Sequence, residues 1–80
     1  MPRYFFNIEN GSYDPDIEGV ILADAADVRV QAAQMAGEML RDGSARLWET
    51  GEWRLGVKNE AGETIFVLSL FVREGSSLAR

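Results

Sequence analysis

Between Asp24 and Asp42 the chain carries its one sustained helical period, and every other apolar run is short enough to be a strand. That contrast sets the class: one helix and several strands sharing a core. Asp24 is an N-cap, its carboxylate placed to accept free amides of the first turn, with Asp27 three residues on. Gly43 suits the left-handed position just past a helix end. The spacing predicts a helix of about 18 residues, roughly 27 Å long. Ala25, Val28, Ala32, Met35, Ala36 and Met39 make one apolar stripe, opposed by a wet stripe of Asp27, Gln31, Gln34, Glu38 and Asp42. Between them Ala26, Val30, Ala33 and Gly37 also recur, with Leu40 alongside. The non-polar arc therefore spans about 220°, wider than the stripe of roughly 100° that one sheet requires. Gly37 costs about 1 kcal/mol against Ala inside a helix, and a row of small residues lets another backbone come close. Two things could cover that row: the 43–51 loop, the plainer expectation, or a second chain.

The strands follow from alternation. Tyr4, Phe6 and Ile8 point one way and Arg3, Phe5, Asn7 and Glu9 the other, as in a half-buried strand. The turn formers of Asn10 to Asp16 end it. Gly19 to Leu22 offers a short second strand, hairpin-paired with the first. After the helix, Trp48 lies in a loop-like run and is expected to fold back onto the domain, since an indole normally packs. Trp53, Leu55 and Val57 then alternate with Arg54, Gly56 and Lys58. Asn59-Glu60-Ala61-Gly62 reads as a type I turn with glycine in the bulge position, and Thr64 to Val72 is β-branched and aromatic nearly throughout.

These elements spell an α+β fold in the order β-β-α-β-β, a small and mostly antiparallel sheet packed on one long helix. Residues 1–73 form a single domain and 74–80 a flexible tail. The expected core is Tyr4, Phe6, Ile8, Leu22, Val28, Ala32, Met35, Met39, Trp53, Leu55 and Val57, with one face of the last strand.

Register decides which face that is. A bulged turn pairs Asn59 with Glu63 and sets Val57 by Ile65, Leu55 by Val67 and Trp53 by Ser69. A shift of one sets Val57 by Phe66, Leu55 by Leu68 and Trp53 by Leu70. The Asn-x-x-Gly turn favours the first, which leaves Phe66, Leu68 and Leu70 on the side away from the helix; the second leaves Ile65, Val67 and Phe71 there. One helix covers one sheet face, and a strand apolar on both faces reads as buried on both. Each large side chain so buried is worth roughly 1.5–3 kcal/mol, much of what a domain of this size can hold. Self-association, as a homodimer, is the expected remedy, through Phe66, Leu68, Leu70 and Phe5.

Chemistry is scarce. The chain has no cysteine and no histidine, so disulfides and the usual structural zinc sites are out. Net charge of −5 argues against phosphate backbones and anionic membranes. No apolar run approaches the roughly 20 residues that span a bilayer, and the N-terminus shows no secretory h-region, so cytoplasmic residence is the default. Asp14, Asp16, Glu18 and Gly19 match the start of a calcium loop, but the glutamate required at its twelfth position is Ala25. That stretch therefore reads as an acidic turn, and no metal or cofactor is expected. Without histidine, a phosphate loop or a nucleophile elbow, the chain is not read as an enzyme. A ligand face is conceivable opposite the helix, where Arg3, Arg54 and Lys58 lie with Phe5 to stack a base.

Pro2-Arg3-Tyr4-Phe5-Phe6, Asp16-x-Glu18-Gly19-x-x-Leu22-x-Asp24, Trp53-Arg54-Leu55-x-Val57 and Glu60-x-Gly62 together resemble a family of small bacterial proteins of unknown function. Those chains open with a Pro-Arg-Tyr-Phe-Phe-His run, and Asn7 stands where the run has its histidine. The resemblance implies a single-domain protein of bacterial origin and brings no activity, ligand or site residue with it. The functional expectation is a small self-associating interaction module, with a weak nucleic-acid or small-ligand binder as the alternative.

Overall fold

A computed structural model describes residues 2–9, 13–14, 16–73 and 75. Its elements, in chain order, are β1 (Arg3–Glu9), β2 (Tyr13–Asp14), β3 (Val20–Ile21), α1 (Ala25–Asp42), α2 (Leu47–Thr50), β4 (Glu52–Lys58) and β5 (Thr64–Phe71). The α+β class and the strand-strand-helix-strand-strand order are as the sequence indicates. Two short elements, β2 and α2, are added to it. The expected tail, residues 74–80, lies outside the described residues apart from Gly75, as do Asn10, Gly11, Ser12 and Pro15 of the first turn.

The sheet is antiparallel throughout, with strand path β2-β1-β4-β5. β3 pairs with the opening residues of β1, Arg3 with Ile21 and Tyr4 with Val20, while β2 pairs with its last two. β5 ends the path, so among the described residues β4 is its one strand neighbour.

α1 runs over the expected residues and ends as expected. The Asp24 carboxylate accepts the N–H of Asp27 at 3.0 Å, and Gly43 takes a left-handed φ of 84°. Val28, Ala32 and Ala36, four residues apart, are buried, with Met35 and Met39 packed beside them. That line faces the sheet, where Phe6, Trp53, Leu55 and Val57 complete the core. The eleven core residues named above are all in that cluster or packed against it. Ala25 alone of the first stripe is exposed, at the helix's first turn.

The connection after the helix corrects one expectation. The Ala45 N–H returns to the Met39 carbonyl at 3.2 Å, which tucks Ala45 and then Leu47 into the core. Leu47 opens the single turn of α2, so its neighbour Trp48 is rotated about 100° away and stands 84% exposed. Leu47 therefore fills the place expected for Trp48. Nor does the loop cover the second stripe of α1: Ala26, Ala33 and Gly37 are exposed, and so are Val30 and Leu40.

The last hairpin corrects another. Its turn is the one expected: the Asn59 N–H donates to the Glu63 carbonyl, the Gly62 N–H donates to the Asn59 carbonyl, and Gly62 sits at φ 82°. A second bulge then follows. Lys58 pairs with Thr64 but Val57 with Phe66, so Ile65 is the extra residue and every later pair moves by one. Leu55 meets Leu68 and Trp53 meets Leu70. Phe66, Leu68 and Leu70 pack against the core, not on the outer face. Ser69 supplies the reason. Without the bulge this small polar side chain would lie beside the fully buried Trp53 and forfeit the apolar contact that Leu70 makes there, a full-size aliphatic side chain being worth roughly 1.5–3 kcal/mol when fully buried. With the bulge, Leu70 takes that place and Ser69 pairs with Arg54.

Candidate interaction surface

β5 turns three apolar side chains inward and leaves three outside: Ile65, Val67 and Phe71. Val67 is 53% and Phe71 67% exposed. From Thr64 to Val72 no residue carries a charge. Natural edge strands are normally blunted by Lys, Pro or a covering element, because an unpaired row of backbone groups recruits another strand. The bulge at Ile65 lies at the turn end of β5, and from Phe66 to Phe71 the pairing with β4 is regular.

The apolar surface continues beyond the strand. A groove of about 370 Å³ separates β5 from α1, lined by Arg29, Ala32, Ala33, Phe66, Val67 and Leu68. On the helical wheel Ala33 leads directly to Ala26, Gly37 and Val30 at about 100° per residue. The uncovered stripe of α1 therefore borders the uncovered edge of the sheet.

The residues expected to form a basic ligand face are placed differently from one another. Arg3 donates from Nη1 to the Glu18 carbonyl at 2.6 Å, and its backbone N–H reaches Glu60 Oε1 at 3.4 Å. Arg54 is paired with Glu52 at 2.8 Å and stands opposite Glu9 in the sheet. Lys58, opposite Phe5, lines a shallow depression of about 270 Å³ with Phe5, Asn7, Asp16, Asn59, Glu60 and Gly62. Arg3, Arg54 and Lys58 do share the outer face of the sheet, where Arg54 is ion-paired with Glu52, Asp16 and Glu60 lie beside Lys58, and the Arg3 guanidinium is held by a backbone carbonyl. Phe5 is on that face as expected, its ring against Gly19, where an added Cβ would meet Phe5 Cε1 at 2.9 Å and Arg3 Cγ at 2.8 Å.

Asp16, read from sequence as part of an acidic turn, is the residue that ties this corner down. Its Oδ2 accepts the Phe6 N–H at 3.1 Å, and its Oδ1 accepts the N–H groups of Glu18 (3.1 Å) and Gly19 (3.0 Å). In return the Asp16 N–H donates to Oδ1 of the buried Asn7 at 2.8 Å. Partial burial pushes the Asp16 carboxyl up, yet the donors from Gly19, Phe6 and Glu18 outweigh it and hold the group below the ordinary carboxylate range. A carboxylate that accepts several amides gains nothing from becoming protonated. Asp16 thus supplies β1 with a backbone partner between its pairings with β3 and β2. Among the described residues no three His, Cys, Asp or Glu side chains group so as to hold a metal ion.

An amphipathic helix on one face of a small antiparallel sheet, with a polar corner tied down by Asp16, defines a small α+β domain. Residues 3–71 match the family model described as a domain of unknown function (DUF6894), and the chain belongs to that family. The comparisons with curated proteins and with solved structures found no match. No helix among the described residues is long and apolar enough to cross a membrane.

The outward row Ile65, Val67 and Phe71 belongs to the register that the sequence reading placed second. Its signal was present in Ser69, whose polarity marks which row of β5 belongs outside.

Proposed function

We propose that this protein is a non-enzymatic, self-associating interaction module that joins copies of itself through the edge of its sheet. The observation that carries this reading is β5: an edge strand, free of charge over its length and apolar on both faces. Pairing with a second strand satisfies its outer backbone groups and shields the flanks of Val67 and Phe71. Burial of apolar surface is worth about 25 cal/mol per Å², and association must first overcome several kcal/mol of lost translational and rotational freedom. An edge pairing alone is therefore modest, and the adjoining groove and α1 stripe supply further apolar area.

The alternative, a nucleic-acid or small-ligand binder on the outer sheet face, is supported less well. Arg54 is ion-paired with Glu52 and Asp16 and Glu60 line the depression beside Lys58, so although Arg3, held by the Glu18 backbone carbonyl, keeps its charge, the face offers little net positive charge to a phosphate chain.

Light scattering on the wild-type chain tests the reading, with a dimer expected at tens of micromolar. Val67→Lys places a charge on an already exposed position, and the expected result is a folded monomer by scattering and circular dichroism. A wild-type chain that stays monomeric at that concentration refutes self-association.

A further inference from the structure

We infer that two copies pair β5 to β5 in antiparallel register about a twofold axis at Leu68, which places Glu63 of each chain beside Arg73 of the other. This rests on the self-association reading above and specifies its geometry.

The free backbone groups come first. The Val72 N–H donates to the Gly51 carbonyl at 3.0 Å, on the β4 side. In an antiparallel pair alternate residues turn both backbone groups toward the same neighbour. Phe66, Leu68 and Leu70 therefore face β4, while Val67, Ser69 and Phe71 present their N–H and C=O groups at the open edge.

Side-chain direction comes next. A twofold axis perpendicular to the sheet keeps like faces together only if it passes through a residue, because a shift of one sends every side chain to the opposite face. The candidates near the middle of the edge are Val67, Leu68 and Ser69. An axis at Leu68 sets Val67 against the partner's Ser69, and Ser69 against the partner's Val67, joining edge groups that are free on both chains. Leu68 is also the midpoint of the uncharged span from Thr64 to Val72, so this register pairs that span with itself end to end.

Charge decides among the three. Counting along the chain, an axis at Leu68 sets Glu63 opposite the partner's Arg73, twice by symmetry. An axis at Val67 sets Glu63 opposite Phe71, and one at Ser69 sets it opposite Gly75. The bulge at Ile65 shortens that end of the strand by about one residue, roughly 3.3 Å, a gap that these two long side chains span. Both residues are exposed in the single chain and neither has an ion-pair partner among the described residues. Opposite charges at the two ends of an uncharged strand specify antiparallel pairing and oppose a parallel one.

The chain lacks cysteine, which makes single-cysteine variants clean reporters. At a twofold centre that is not hydrogen-bonded, opposing Cα atoms are about 4.5 Å apart, within disulfide range. Among Val67→Cys, Leu68→Cys and Ser69→Cys, mild oxidation should crosslink Leu68→Cys fastest. Fastest crosslinking at position 67 or 69, with the wild-type chain dimeric, overturns the register and leaves self-association standing. No crosslinking together with a monomeric wild type overturns both. Because Leu68 packs on the core, a second test uses exposed residues only. Arg73→Glu should weaken dimerisation roughly tenfold, since two ion pairs become two repulsions, and Glu63→Arg with Arg73→Glu should restore it. A dimer indifferent to Arg73→Glu overturns the register as well.

Discussion

Replacing Asp16 with alanine removes three acceptor contacts at once and leaves their donors behind. The Phe6 N–H is partly buried in β1 and stands to lose the most, because a bond to a charged group contributes about 1.5–3 kcal/mol. Water can reach the Glu18 and Gly19 amides more readily, so they add less, and a total near 3 kcal/mol is expected. At roughly 0.05–0.15 kcal/mol per residue, that is a large share of what an 80-residue chain can have. For a domain of this size each kcal/mol moves Tm by about 4–8 °C, so Asp16→Ala should melt roughly 12–24 °C lower at pH 7 by circular dichroism. The pH dependence gives the sharper reading. The folded carboxyl lies below its unfolded value, which is about 3.9. Its contribution is therefore complete above that value and is lost as pH falls through the lower, folded one. Wild type and Asp16→Ala should begin to converge only once pH falls below about 3.9. Equal midpoints at pH 7, or a gap that stays constant over the whole range, would refute the role given to this carboxylate.

Two glycines give contrasting outcomes. Gly19→Ala combines a left-handed φ of 74° with contacts under 3.0 Å to Arg3 and Phe5, so a loss of about 2–4 kcal/mol in urea unfolding is expected. A wild-type midpoint would show that the loop does not pack on β1. Gly37→Ala meets no atom within 4 Å and should raise the stability of the monomeric Val67→Lys background by about 0.5–1 kcal/mol. Destabilisation there would mean that the α1 stripe is packed within a single chain.

How much of this was legible in the sequence depends on the range of the interaction involved. The helix limits were, because Asp24 and Gly43 act on their immediate neighbours. The core rows of β1 and β4 were, because Trp53, Leu55 and Val57 alternate with charged residues or glycine. β5 has no such alternation, so its inward row could be read only from Ser69, one residue in nine. Trp48 misled because the size of a side chain says that it prefers to pack, while the turn of α2 decides whether it can. Asp16 was hidden for a different reason. Its acceptors serve Phe6, ten residues back, and only the folded corner brings that amide near.

The bulge at Ile65 has a consequence for how this hairpin tolerates change. A strand apolar on both sides reads acceptably in two frames, so gaining or losing one residue near its turn still delivers a hydrophobic row to the helix. Ser69 is the only letter that penalises the second frame. Such error tolerance cannot be separated from stickiness: whichever row is not used inside is left outside, and a hairpin that forgives a slip of the chain always carries a surface looking for cover.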